Sequence, residues 1–462
     1  MRKFTAARSD FLKSIRWSAF IVGIVAPALM AQTAATIQPL ALNDVSWLFP
    51  PPVRAQDFSN LISMGDLTAA NAQDPAKRDP VWSDAAFQQF LAIAASEAAQ
   101  VSARNVRIGL PTEAHTKNNW FVAGIRVDAG APGLSLDIQN AYGRSPQIRL
   151  IVQLVTRGAN GAPIVNDIAA HLIFDFTILP PDKEAQPGCF QRPKPDLEEF
   201  LKIVADLASL RTNLSNGQFG GTKIVTAELP LGVHPGLANS ATANGVSQAM
   251  KTFLQKHLSD QHLNAMALMA LPTGAPEPWM FLSMVKLPAG ELPTLPNGGF
   301  VPVHGTTLDG QQSTELFQAG GVVLPAPHTN NRNPITCVNS ALFQNAGPAI
   351  ADRRGSSTAD LSATPAPSAD MVRDILGLIA DPARSHFFNT DCVSCHTETR
   401  RAMVILKTTS FDGLDSAVLP TDDWVLRNFG WGTFPLAATA TRRTAAETAD
   451  VVKFINGQLL SK

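Results

Sequence analysis

The chain has 462 residues, 37 Lys+Arg against 38 Asp+Glu, 45% apolar side chains and 16% charged ones. That length is too great for one ordinary core and predicts two or three compact units of roughly 100–200 residues each. The apolar content rules out disorder of the whole chain. A formal charge of −1 gives no reason to expect nucleic-acid binding, and four Cys in 462 residues are not a disulfide scaffold.

Arg2, Lys3, Arg8, Lys13 and Arg16 form a basic leader, followed by the uncharged run WSAFIVGIVAPALMA and the small, polar stretch QTAAT. A charged start, an apolar run of 7–15 residues and a small-residue exit are the pattern of a secretory signal peptide. Residues 1–31 are therefore expected to be removed on export, with cleavage near Ala31 or Ala35. The run falls short of the ~20 apolar residues of a spanning helix and contains Pro27, so no stable membrane anchor is expected after cleavage. The leader carries a net +4, and its removal leaves a mildly acidic chain of −5. A periplasmic or otherwise exported location follows, where thiols tend to be oxidised or ligated.

Beyond the Pro-rich loop at Pro50–Pro52, residues 83–100 read as a helix, with Ser83 as a candidate N-cap and Phe87, Phe90, Leu91 and Ala94 at helical spacing. In QIRLIVQLV (147–155), Ile148, Leu150, Val152 and Leu154 alternate onto one strand face. Residues 167–179 are β-rich again, and the turn formers RGANGAPIVN between the two predict a long hairpin. Residues 195–210 predict a helix with Pro at its start and acids in its first turn. A further helix is expected over 245–258 and a second pair of strands over 264–271 and 279–287. Strands interleaved with a few helices predict a largely antiparallel α+β domain over 45–350.

Residues 351–369 are rich in Ser, Thr, Ala and Pro and nearly free of large apolar side chains, which is linker composition. They set off residues 370–462 as a second, small, all-α domain. It opens with a helix over 368–380, ended by Asp381-Pro382, and closes with one over 444–459, where Thr444 and Glu447 predict a capping box.

Between those helices stands FFNTDCVSCHTETRR, with Cys392, Cys395 and His396. Cys-x-x-Cys-His is the spacing of c-type haem attachment. Two thiols three positions apart each add to a vinyl group on one porphyrin edge, and the adjacent His is carried under the ring to bind iron. A redox Cys-x-x-Cys would want a thioredoxin-like βαβ context, and a zinc site would want a second ligand pair; neither is evident. The other two thiols, Cys189 and Cys337, are expected to form a disulfide in an oxidising compartment, with isolated buried thiols as the alternative.

The order of these segments over 368–462 resembles class I-like c-type cytochrome domains; no family is recognised for the larger N-terminal part. The resemblance implies one covalent haem c on Cys392 and Cys395, with His396 as proximal iron ligand. Trp424, Trp431, Arg427, Arg442 and Arg443 are expected either to hold propionates and wall the ring or to serve packing and surface roles. One feature departs from that family, which supplies a distal Met from a late loop. Here that loop reads NFGWGTFPLAAT, and the only later Met is Met403. The sixth position is then open, or filled by Met403, His386 or Met371, or filled from the large domain, where His171, His234, His304 and His328 are the histidine candidates.

The expectation is an exported electron-transfer protein with one haem and a redox partner protein. A haem-dependent oxidoreductase with an open sixth position is the first rival. A sensor or ligand-binding protein using the haem as reporter is the second.

Overall fold

Alternating apolar side chains and turn chemistry account for most of the architecture. The computed structural model describes residues 38–71, 74, 76–102, 110–128, 146–178, 194–270, 279–287, 289, 295–302, 315–318, 321–323, 369–383, 392–422, 425, 427–433 and 435–460. The leader, the Cys189 and Cys337 pair, His304, His328, His386 and Trp424 lie outside these residues. Among the described residues no helix is long and apolar enough to cross a membrane.

The chain enters through α1 (Leu42–Val45) and β1 (Ser46–Leu48), a small pair β2 (Thr68–Ala70) and β3 (Arg78–Pro80), and α2 (Asp84–Ser102). Then come β4 (Trp120–Asp128), β5 (Gln147–Arg157) and β6 (Pro163–Asp175), followed by the short pair β7 (Thr177–Ile178) and β8 (Lys194–Pro195). Three helices follow, α3 (Leu197–Ser215), α4 (Pro235–Ala238) and α5 (Ala243–His257), before β9 (Leu263–Ala270) and β10 (Trp279–Leu287). β11 (Gly299–Pro302), β12 (Glu315–Gln318) and β13 (Gly321–Val323) complete the strands of the N-terminal part.

Among the described residues these strands make a nine-stranded antiparallel sheet in the order β1-β4-β5-β6-β9-β10-β12-β13. The outer edge of β10 is shared: β12 pairs with Trp279–Phe281 and β11 with Met284–Leu287. The expected hairpin of β5 and β6 is present with a shorter turn. Gly158 N–H donates to Ala162 O at 2.8 Å, and Gly161 sits at φ +76°, where a side chain would be strained. Pro163 to Asn166, expected in the turn, instead extend β6.

The two faces of the sheet differ. One row runs Ile125, Leu150, Leu172, Met266 and Met284 across five strands, and every member is buried. This apolar face joins the stripes of α2 (Phe87, Phe90), α3 (Phe200, Val204, Leu207) and α5 (Val246, Met250, Leu254) in one hydrophobic cluster. Phe90 meets Trp120 of β4 edge to face, with ring centroids 5.7 Å apart. α3 begins where Asp196 caps it, accepting from Glu199 N–H at 3.0 Å.

The opposite face carries Arg126, Arg149, Gln153 and His171, and the C-terminal segment covers part of it. That segment comprises α6 (Ala369–Ala380), α7 (Cys392–Leu406), β14 (Phe429–Thr433), β15 (Leu436–Ala440) and α8 (Arg442–Phe454), which passes into a single π turn at Ile455–Leu459. The expectation of a separate, all-α small domain over 370–462 is corrected here. The segment contains the antiparallel β14–β15 hairpin. Its Phe429, Trp431, Val451 and Ile455 belong to the same cluster as the sheet. Residues Gln38–Lys462 form one compact unit. The physical reason is a docking surface that mixes buried ion pairs with apolar side chains on a short hairpin and one helix face, which sequence pattern alone does not tie to the sheet.

β14 lies close upon the sheet. Gln153 Nε2 donates to Trp431 O at 2.9 Å, and its Oε1 accepts from Trp431 N–H. The fully buried Trp431 indole donates to Phe49 O at 2.8 Å. Phe429 occupies the space above Gly124, where a Cβ would stand 2.6 Å from Phe429 Cδ1. Gly124→Ala should therefore cost about 1–3 kcal/mol of unfolding free energy, by overpacking. Adding Phe429→Leu should recover part of the loss in the same denaturant titration. Additive losses would show that the two do not touch.

Candidate functional site

Cys392 is the first residue of α7, so Cys395 and His396 follow within the first turn and a half of a helix. Cys395 and His396 are both half-buried. The helix is fixed from three sides. Its buried Ala402 packs on Leu376 of α6. Glu398, fully buried, accepts from Arg442 Nη1 at 2.7 Å, and Thr399 Oγ1 accepts from Arg442 N–H at 2.9 Å. The Thr399 bond satisfies a free N–H of the first turn of α8, and the Glu398 carboxylate stands near that helix end, where negative charge is favoured. α7 also packs against β12, at the edge of the sheet.

α8 starts earlier than expected. Thr441 is the N-cap, accepting from Thr444 N–H at 3.3 Å, so the expected Thr444–Glu447 capping box does not form. Glu447 is thereby released for a different task. Its Oε1 accepts from Arg443 Nε at 2.6 Å and its Oε2 from Arg126 Nη2 at 2.7 Å, with all three side chains buried. Arg443 also donates to the carbonyls of Ile379 and Asp381 at the end of α6. Burial raises the Glu447 pKa, but the charges of Arg443, Arg126 and Arg149 outweigh it and hold the carboxyl down to about 2.

Register places Arg126 opposite Arg149, and Gly124, Ile151 and His171 side by side, on the face that receives β14 and α8. His171 lies at mid-sheet. Burial pushes its imidazole down to about 3, and the positive charges of His396, Arg149, Arg126 and Arg427 add to the effect. The motif histidine of α7 is thus near enough to His171 for its charge to be felt there. Alongside, on the central strand β9, Ala265 and Ala267 remain partly accessible, although their neighbours on the other face are sealed. The middle of this face therefore carries small side chains beside a group of cations. Arg126 Nε is buried there without a hydrogen-bond partner among the described residues.

No protein-family model matches the chain, and no curated protein or solved structure is similar to it.

The remaining expected positions separate clearly. Arg427 bonds Asp167 of β6 at 2.7 Å, and Arg442 is held by Glu398 and lies 4.8 Å over the Phe411 ring. With Arg443 on Glu447 and Trp431 on Phe49 O, these four side chains are engaged within the fold. Met403 lies on α7 itself, seven residues and about 10 Å beyond His396 on the same helix, and packs against the hydrophobic cluster. His234 is fully buried, stacked on Trp47 with centroids 3.7 Å apart, and its Nδ1 accepts from Gly236 N–H. It caps α4. Among the described residues no three His, Cys, Asp or Glu side chains are grouped to hold a bare metal ion.

Arg126 and Arg149 were not singled out by the sequence, and Glu447 was expected only in a capping box. A signal existed: Arg126 and Arg149 interrupt otherwise apolar strands, each at a position facing away from the apolar row. Glu447→Gln should cost about 3–5 kcal/mol at neutral pH, since it leaves buried guanidinium groups without their anion. The native Glu447 pKa is depressed, so its contribution is fully present above pH ~4.5 and is lost as pH falls through about 2. Acid titration of unfolding should be shallower across that window in Glu447→Gln than in the native chain. Parallel curves would remove Glu447 from the acid response.

Proposed function

We propose that the chain is an exported c-type cytochrome-like electron-transfer protein with one haem attached through Cys392 and Cys395 and His396 as an iron ligand. The observation that carries the reading is the placement of Cys-x-x-Cys-His on the opening turns of α7, with His396 in electrostatic reach of the polar face of the sheet.

The residues present fit the group. Two thiols three positions apart on a helix and an adjacent imidazole are the donor set for covalent attachment and proximal ligation. Ala265 and Ala267 on β9 are small and partly accessible, and Arg126 offers a buried N–H that lacks an acceptor among the described residues. When bound, haem supplies one-electron exchange, one electron arriving from a reduced partner protein and one leaving to an oxidised partner, with no bond made or broken. The chain's own residues would attach and orient the group and set its surroundings. α6 and α8 brace α7 through Ala402, Glu398 and Thr399.

Export is part of the same reading, because the basic leader and apolar run precede a motif whose haem is attached outside the cytoplasm. The test is a haem stain of the full chain after export from a host that matures c-type cytochromes. The native protein should stain on a denaturing gel, and Cys392→Ala with Cys395→Ala should not. An unstained native chain, or a stained double variant, would end the proposal.

A further inference from the structure

We infer that His171 of β6 is the second axial ligand of that haem, opposite His396, so that the sheet supplies the distal half of the site. The inference rests on the haem reading above and adds to it a second ligand from the large N-terminal part.

Three observations point to His171. First, its register with Ile151 puts it on the face that carries Gly124, Gln153, Arg126 and Arg149, the face on which β14 and α8 dock. Second, α7 packs against β12 of the same sheet, and His396 lies near enough for its charge to reach His171 at mid-sheet. Third, the strand beside His171 is lined with Ala265 and Ala267 on this face, and both stay partly accessible.

Two competitors fall away on placement, while His304, His328 and His386 lie outside the described residues. Met403 shares a helix with His396, so it cannot approach from the far side. His234 is held under Trp47 with its Nδ1 engaged. Arg126 and Arg149 stand one face position beyond His171 and supply positive charge for the two carboxylates that a porphyrin carries at one edge.

Two histidines on one iron make it six-coordinate and low-spin, with no position left for peroxide or a diatomic gas. The sheet then wraps the redox centre instead of serving a separate function, and the oxidoreductase and gas-sensor alternatives lose their open site. In the native protein, near-infrared magnetic circular dichroism should show bis-imidazole ligation, and carbon monoxide should leave the ferrous spectrum unchanged. His171→Ala should keep its haem stain, turn high-spin and respond to carbon monoxide, and added imidazole should restore the low-spin spectrum. Met403→Leu should behave as the native protein does.

A native spectrum of histidine–methionine type, a native ferrous form that binds carbon monoxide, or a His171→Ala variant that stays low-spin would each overturn the inference. Haem staining would persist in all three cases, which separates them from failure of the haem reading itself. Should His171→Ala not accumulate as folded protein, His171→Met decides in its place: it should give a histidine–methionine spectrum, and a bis-imidazole spectrum would overturn the inference.

Discussion

A carboxylate buried between two guanidinium groups costs several kcal/mol of desolvation for each ion, and only close, well-aligned contacts repay it. Glu447 is such a carboxylate, and the geometry of the C-terminal segment depends on it. Arg126 comes from β4, next to the edge strand β1, Arg443 from the same helix as Glu447, and Arg443 reaches on to the last carbonyls of α6. One acidic side chain therefore fixes three elements at once. Truncating any member strands the others in a dry interior, so the arrangement has one geometry and few neighbours in energy. That is why α7, which carries the cysteine motif, sits at a defined height above the sheet.

Around this triad the sheet is asymmetric by design of its side chains. The apolar face pays for folding through burial against three helices. The other face is polar, and it recruits its cover through directed bonds: Gln153 grips both backbone groups of Trp431, Arg427 meets Asp167, and Gly124 makes room for Phe429. Directed bonds hold a cover at a set distance without demanding that every part of the face be filled. The partly accessible Ala265 and Ala267 beside His171 follow from that difference. A face covered by hydrophobic collapse would have been filled with large side chains, since unfilled apolar volume is penalised.

Elements with a strong period were legible from sequence. α2, α3, β5, β9, β10 and α6 begin and end within a few residues of expectation, because apolar spacing, capping and proline placement are local properties. The closing helix was legible in its stripe, Val451, Val452 and Ile455, and misplaced in its cap, since Thr441 and Thr444 are equally good oxygen donors and only the hairpin carbonyl of Asn428 decides between them. The β14–β15 hairpin was read as loop because Gly430 and Gly432 lower strand propensity. Those glycines are there for close backbone approach: a Cβ at Gly430 would stand 2.8 Å from Gln153 Oε1. The separate small domain is not confirmed. A Ser/Thr/Ala/Pro-rich stretch looks the same whether it joins two independent bodies or loops across one, and the contacts between the two parts mix ion pairs with a few buried apolar side chains. The motif cysteines and histidine were legible outright. His171 was visible as one of four histidines and could be singled out only when register set it on the face below α7.

Leu40 and Asn456 exchange two hydrogen bonds, backbone N–H to Oδ1 and Nδ2 to backbone carbonyl, each 2.8 Å and 416 positions apart in the chain. With Arg126 and Glu447 separated by 321 positions and Gln153 and Trp431 by 278, the contacts that close the molecule are among the most distant its length allows. Closing loops of that size is slow, and it cannot begin until the last helix has been synthesised. A chain emerging from its N-terminus first must therefore hold the polar face of its sheet in water for most of its assembly. The charges that later clamp the C-terminal segment also keep that exposed face soluble in the interval, and they leave the helix bearing the two cysteines accessible until the final step of folding draws it in.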